Sequence, residues 1–219
     1  MLTRSIEDYL KVIWKLQHEE AAVTTNAVAA QMGVAPASAT NMLKKLAGLR
    51  LVEHTPYHGV VLTAAGAKVA LEVIRHHRLL ELYLAQALGV SLDRVHEEAE
   101  RLEHVLSEEV EEKIAAQLGE PTHDPHGDPI PTREGALERS RHPLLADLAP
   151  GQSGVIVRVS DERADVVRDL ARSALLPGTP VRVTGVEGDG TMRIRSGNAV
   201  RTVGAHLARA VYVATDRRA

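Results

Sequence analysis

The apolar residues of the N-terminal stretch recur at helical spacing. Ile6, Leu10, Ile13, Trp14 and Leu16 fall on one stripe and predict a helix over 5–19. Thr24 or Thr25 suits the cap of a second helix that runs to about Met32, where Gly33 stops it. Pro36 suits the first turn of a third helix, running to about Leu49. Residues 51–63 then read as two short strands around a turn that contains Pro56 and Gly59. Helical spacing returns from Thr63 to about Leu88, with Gly66 a weak point near the start and Gly89 the stop. A further helix is expected from Asp93 through about Leu118. Residues 119–135 hold Pro121, Pro125, Pro129, Pro131 and three Gly, which makes them a connector, and a short helix is expected around 134–140. Beyond Pro150 the runs Val155–Val159, Val181–Val186, Met192–Ile194 and Ala210–Val213 are strand-like, with Gly-rich turns and one helix at about Ala164–Ser173. No internal repeat is present.

The expected fold class is therefore mainly α with a β tail. A winged helix-turn-helix occupies 1–66, an α-helical domain 67–140 that includes the connector at 119–135, and a small β domain 151–219. The chain of 219 residues has no Phe, one Trp and four Tyr, so its core must be built from Leu, Val, Ile and Ala. The absence of Cys excludes disulfides, Cys-based zinc sites and a Cys nucleophile. The first nine residues lack the apolar run of a signal peptide and no stretch is apolar for 18 residues, so no membrane partner is expected and the expected setting is cytoplasmic.

Charge divides the chain. Lys+Arg minus Asp+Glu is 8 − 6 = +2 over 1–75, 7 − 16 = −9 over 76–150 and 11 − 7 = +4 over 151–219. An acidic centre suits cations better than nucleic acid, although a solvated helix face looks the same by charge alone. The mildly basic N-terminal segment permits DNA binding.

Residues 24–49 have helix-turn-helix form, with small Ala29 allowing close helix approach and Gly33 taking the turn. In such a motif the N-terminal side chains of the second helix meet base edges in the major groove. Here these are Ala35, Ala37, Ser38, Thr40 and Asn41, with Lys44 and Lys45 set to meet phosphate and His58 near the wing tip. An ordinary three-helix core, or a winged helix used for protein contact, is the competing reading.

Residues 96–104 read His-Glu-Glu-Ala-Glu-Arg-Leu-Glu-His. On a continuous helix His96, Glu100, Glu103 and His104 line one stripe, and His77 and Glu81 form another i, i+4 pair upstream. Imidazole and carboxylate on facing sides of two helices can enclose a divalent metal, with nitrogen and oxygen donors only. A single such pair is often no more than a salt bridge. The string His96-Glu97-Glu98-Ala99-Glu100 is not the zinc-protease helix, which needs His at the fifth position. There is no Gly-x-Ser-x-Gly elbow and no phosphate-binding Gly-rich loop, so no enzyme is expected. Asp8 in isolation reads as part of a capping box, Ser5-x-x-Asp8.

Several motifs in one order resemble the diphtheria toxin repressor family of metal-dependent transcription regulators, including its manganese-responsive branch. They are Ile6-Glu7-Asp8-Tyr9-Leu10, the wing with Leu62-Thr63-x-x-Gly66, His77-Arg78-Leu79-Leu80-Glu81, Val95-His96-x-Glu98-Ala99, Leu102-Glu103-His104-Val105 and Pro125-His126-Gly127-x-Pro129-Ile130-Pro131. The β domain resembles the SH3-like barrel that many members carry. The resemblance implies a primary metal site of Asp8, Glu100, Glu103 and His104, and an ancillary site of His77, Glu81 and His96. It also implies acidic ligands reaching in from the tail, for which Asp161, Glu162 and Asp165 lie in the matching loop. The iron-responsive branch has Met and Cys where Asp8 and Glu100 stand, and hard carboxylate donors favour Mn²⁺, with Fe²⁺ the alternative. The manganese branch has Glu where this chain has Lys11, which departs from a two-metal arrangement. His123 and His126, in the connector, are expected to be exposed and without function.

The expected function is a Mn²⁺-dependent repressor of metal-uptake genes. It acts as a homodimer on double-stranded DNA with an inverted-repeat operator, half-sites being about 34–36 Å or a multiple apart. Leu79, Leu82, Leu106 and Ile114 are the expected dimer contacts. A metal-independent winged-helix sensor of an organic ligand, a metal-dependent hydrolase and a metal-buffering protein are the competing classes.

Overall fold

The computed structural model of the protein describes residues 2–19, 23–55, 59–138, 140–161 and 163–215. They form two compact units. One comprises Met1–His77, Glu103–Ser107 and Pro131–Ala136, the other Arg78–Leu102, Glu108–Ile130 and Leu137–Ala219.

The first unit holds α1 (Arg4–Glu19), α2 (Thr25–Gln31), α3 (Pro36–Gly48), the hairpin β1 (Val52–Thr55) and β2 (Gly59–Leu62), and α4 (Ala64–Leu88) as far as His77. Thr24 is the α2 cap, its hydroxyl accepting from the Ala27 N–H at 3.1 Å. Gly33 turns the chain at φ 64°, a conformation that suits Gly. Pro36 then opens α3, where its missing N–H costs nothing. The stripe foreseen on α1 packs inward. Leu10 and Ile13 are buried with Val28, Ala29, Leu43, Leu46 and Val60, each large apolar side chain contributing roughly 2 kcal/mol. β1 and β2 pair antiparallel from Val52↔Leu62 to Thr55↔Gly59. His58 lies outside the described residues.

Gly66 is required rather than merely tolerated. A Cβ there would stand 1.9 Å from the Leu51 carbonyl oxygen, so the start of α4 can lie against the wing only without one. Thr63 fixes the same corner, its hydroxyl donating to the Arg50 carbonyl at 2.8 Å and accepting from the Gly66 N–H at 3.1 Å. Asp8 is no capping partner of Ser5, because α1 begins at Arg4 and Thr3 supplies the carbonyl that accepts from Ile6 and Glu7.

The helix expected over 93–118 is two helices. α5 (Leu92–Leu102) ends before a turn at 103–105, and α6 (Glu108–Gln117) starts anew. Ser107 stands just before α6, and Glu108, Glu109 and Glu111 fill its first turn, where the helix dipole favours negative charge. Apolar periodicity alone does not register such a restart. The short helix expected at 134–140 does not form among the described residues. Gly135, at φ 79°, closes a turn in which its N–H donates to the Thr132 carbonyl, and a single 3-10 turn appears instead at Leu145–Asp147.

In the second unit the β domain runs β3 (Ser153–Val159), α7 (Ala164–Arg172), β4 (Pro180–Val186), β5 (Met192–Ser196), β6 (Ala199–Val203), α8 (Ala205–Ala208) and β7 (Val211–Thr215). Its antiparallel sheet has the order β6-β5-β4-β3-β7. Ile156, Val159, Val183, Met192, Ile194, Val211 and Val213 alternate inward onto Leu170 of α7 and Leu175. β6 escaped the sequence reading because it is an edge strand that buries little beyond Val203.

The connector is ordered. One Asp124 carboxylate oxygen accepts from the N–H groups of His126 and Asp128, at 2.8 and 2.9 Å. The His126 carbonyl accepts from the Val159 N–H of β3 at 2.9 Å. Gly127, at φ 92°, lies so close to β3 that a Cβ would meet the Val157 carbonyl oxygen at 2.0 Å. No helix among the described residues is long and apolar enough to cross a membrane.

Candidate metal centre

In the first unit, α1 and the turn after α5 bring Asp8, Glu103 and His104 together. His104 Nε2 is 2.8 Å from Asp8 Oδ1 and 3.3 Å from Glu103 Oε1. Neighbouring ligands of an octahedral ion with bonds of about 2.1 Å stand about 3 Å apart, so these spacings fit such an ion. The tautomer follows from the other ring nitrogen. His104 Nδ1 is 2.7 Å from Glu7 Oε2, and a carboxylate can only accept, so Nδ1 carries the proton. With Nδ1 turned to Glu7, Nε2 is the ring atom left to face Asp8 and Glu103, and it is buried.

Glu103 is the pivot of this cluster. It is buried, with Lys11 Nζ at 2.7 and 2.9 Å from its two oxygens and His77 Nδ1 at 2.5 Å from Oε2. Burial pushes its carboxyl up, but the His77 hydrogen bond and the Lys11 charge outweigh that and hold it below the usual carboxylate range.

The second unit gathers a different set. His96 Nδ1 is 3.0 Å from Glu81 Oε1 and 3.3 Å from Asp161 Oδ2. α5 packs against α7, an arrangement tied by Arg168 to Asp93 at 2.8 Å, and Asp161 precedes α7 in the loop from β3. Burial alone would lower the His96 pKa, but the hydrogen bonds and charges of Asp161 and Glu81 raise it to about 10. Behind Glu81 stands His126, fully buried, with Nε2 3.1 Å from the Leu92 carbonyl and Nδ1 3.6 Å from Glu81 Oε2. Burial works against its protonation, yet Glu81 and Asp124 raise it to about 9. Asp124 is itself pushed well above the carboxylate range by burial and by the charges of Glu81 and Asp128.

The expected sites therefore divide between the units. Asp8, Glu103 and His104 converge in the first. Glu100 belongs to the second, its Oε1 3.9 Å from His96 Nε2. Glu81 and His96 meet in the second, whereas His77 belongs to the first and bonds Glu103. Of the tail acids, Asp161 reaches His96, Asp165 pairs with Arg163 at an exposed position and Glu162 lies outside the described residues. The expectation that His126 is exposed is overturned by its complete burial, while His123 is exposed. Leu79, Leu82 and Ile114 are buried within the chain, and the helices of the second unit expose Leu88, Leu102 and Val110 instead.

Spacing along the chain gives Glu7 no role. Adjacent helix positions diverge by roughly 100°, so spacing cannot place Glu7 and Asp8 at the two nitrogens of one ring. His126 carried a clue in its position between Asp124 and Gly127, a tight turn that demands packing.

On α3 and at its N-cap, Ala35, Ala37, Ser38, Asn41, Lys44 and Lys45 are exposed, and Thr40 is half-buried with its hydroxyl donating to the Pro36 carbonyl at 2.8 Å. Buried Ala39, Leu43 and Leu46 form the opposite face. This leaves a small polar and cationic face of the kind that fits a major groove.

Three family models match the chain in order. They are the iron dependent repressor N-terminal DNA binding domain over residues 1–60, the iron dependent repressor metal binding and dimerisation domain over 63–132, and the FeoA domain over 144–215. Together with the fold, they define the class as a winged-helix DNA-binding module joined to a metal-binding domain and an SH3-like tail. The chain belongs to the diphtheria toxin repressor family of metal-dependent transcription regulators. It is 29% identical over 187 residues to the diphtheria toxin repressor of Corynebacterium efficiens, covering 83% of this chain and 81% of that protein. It is 28% identical to the iron-dependent repressor IdeR of Mycobacterium tuberculosis, covering 97% of each. Among solved structures, a manganese-dependent transcriptional repressor in complex with manganese superposes with a TM-score of 0.88 at 34% identity, covering 96% of this chain and 99% of that one.

Proposed function

We propose that this protein is a Mn²⁺-responsive DNA-binding repressor of metal-uptake genes. The observation that carries the reading is the buried Nε2 of His104, facing Asp8 and Glu103 at ligand spacing. Asp8 sits on α1, and α1 packs directly on α2 and β2 of the DNA-reading module. An ion held by Asp8, Glu103 and His104 therefore fixes the position of the reading helix. The family resemblance adds Glu100 to this primary site. It adds His77 to the ancillary set of Glu81 and His96, with Asp161 contributed by the tail.

Two carboxylates and one imidazole favour Mn²⁺ among the metals such proteins sense. Fe²⁺ is the second reading, supported by the likeness to iron-dependent repressors. No turnover is expected, since the site has no separate nucleophile. Two copies joined through exposed apolar residues such as Leu88, Leu102 and Val110 would present paired α3 helices to an inverted repeat. Such a regulator works where the DNA is, in the cytoplasm.

The test is Mn²⁺ binding and operator binding by the wild type, His104→Ala and Glu103→Gln. Both variants are expected to lose metal-stimulated DNA binding while keeping their helical signal. Unchanged stimulation in both would refute the assignment.

A further inference from the structure

Glu103 faces two ways. Its Oε1 looks toward His104 Nε2 at 3.3 Å, on the side of the metal position. The whole carboxylate also embraces the Lys11 ammonium, which spans both oxygens at 2.7 and 2.9 Å and is only 5% exposed. His77 Nδ1 closes the same side, 2.5 Å from Oε2. Lys11 lies three residues after Asp8, so both reach this cluster from one face of α1. A cation that spans a carboxylate beside an imidazole occupies the place a bridged second metal ion would take.

Resting on the metal reading of Asp8, Glu103 and His104, we propose that Lys11 is a built-in cation that fills the second cation position of this site, limits it to one divalent ion and weakens its hold on that ion. The physical basis is direct. An ion at Asp8, Glu103 and His104 shares Glu103 with a fixed positive charge, and in a buried setting that repulsion is poorly screened. A carboxylate at position 11 would remove the repulsion and, with Glu103 and His77, supply the donors for a second ion.

The test compares chelator-stripped wild type, Lys11→Gln and Lys11→Glu, titrated with Mn²⁺ by calorimetry and by electron paramagnetic resonance. Lys11→Gln is expected to bind the same number of ions per subunit, with the His104-dependent ion held roughly tenfold or more tighter. Lys11→Glu is expected to take up one additional ion per subunit and to show a spin-coupled manganese pair. Equal stoichiometry and affinity in all three proteins would overturn the proposal. If Lys11→Glu does not fold, as judged by circular dichroism, Lys11→Gln decides alone, and an unchanged affinity in it overturns the proposal. Should His104→Ala leave Mn²⁺ uptake by the otherwise wild-type protein unchanged, the metal reading itself fails, a result distinct from failure of the Lys11 role.

Discussion

Glu7 gives His104 its direction. By accepting the Nδ1 proton at 2.7 Å, it leaves Nε2 to face Asp8 and Glu103, as the proposed metal site requires. Glu7→Gln should weaken Mn²⁺ binding by about 10–100-fold with little change in fold, which calorimetry can check. His96 answers to pH. Its folded pKa, raised to about 10 from 6.5, means that its ion pairs stabilise the metal-free fold fully below about pH 6.5 and lose that contribution as pH rises through about 10. His126, raised to about 9, acts in the same sense. The urea midpoint of the metal-free protein should therefore fall from neutral pH to about pH 10; a flat or rising midpoint would contradict the pairing. Much of this clustering is legible in the sequence, but not all for the right reason. By spacing Glu103 and His104 fall on a helical stripe, yet they stand on a turn. Asp8 was legible only through the family motif. Glu7 and His126 carry no signal of their partners, which stand 97 and 45 residues away in His104–Glu7 and His126–Glu81, and Lys11 stands out only against the family pattern, its partner Glu103 being 92 residues away.

Among the elements, α3 shows how a short amphipathic helix can both pack and read. Ala39, Leu43 and Leu46 hold it to the core, and Asn41, Lys44 and Lys45 remain outside. Lys44→Ala should weaken binding to all DNA sequences alike and lower the salt dependence by about one counterion, whereas Asn41→Ala should cost about 1–3 kcal/mol at one base position. Fluorescence anisotropy across a salt series separates the two. The helices of this module were legible because Gly33, Pro36 and the apolar stripe all agree with the fold. The break between α5 and α6 was not, because apolar spacing continues through 103–105 while the backbone turns. That break matters to the proposed metal site, since it is the turn that delivers His104 Nε2 to Asp8.

In the molecule as a whole, metal can control DNA only through a difference in affinity between DNA-competent and incompetent arrangements. Moving a population from 1:99 to 99:1 takes about 5.5 kcal/mol of such preference, within reach of an ion bound by several charged ligands. The coupling must be reciprocal, so operator DNA should tighten Mn²⁺ binding by the same factor that Mn²⁺ tightens DNA binding. The acidic middle of the chain, at −9 over residues 76–150, suits cations while the basic first segment meets DNA. The most direct measurement is operator binding by chelator-stripped protein at fixed salt, titrated with Mn²⁺, Fe²⁺ and Zn²⁺, on wild type and His104→Ala. Binding that appears only with metal, at the lowest concentration for Mn²⁺, and disappears in His104→Ala is the expected result. Equal binding with and without metal would contradict metal control and reduce the His104 cluster to a structural feature.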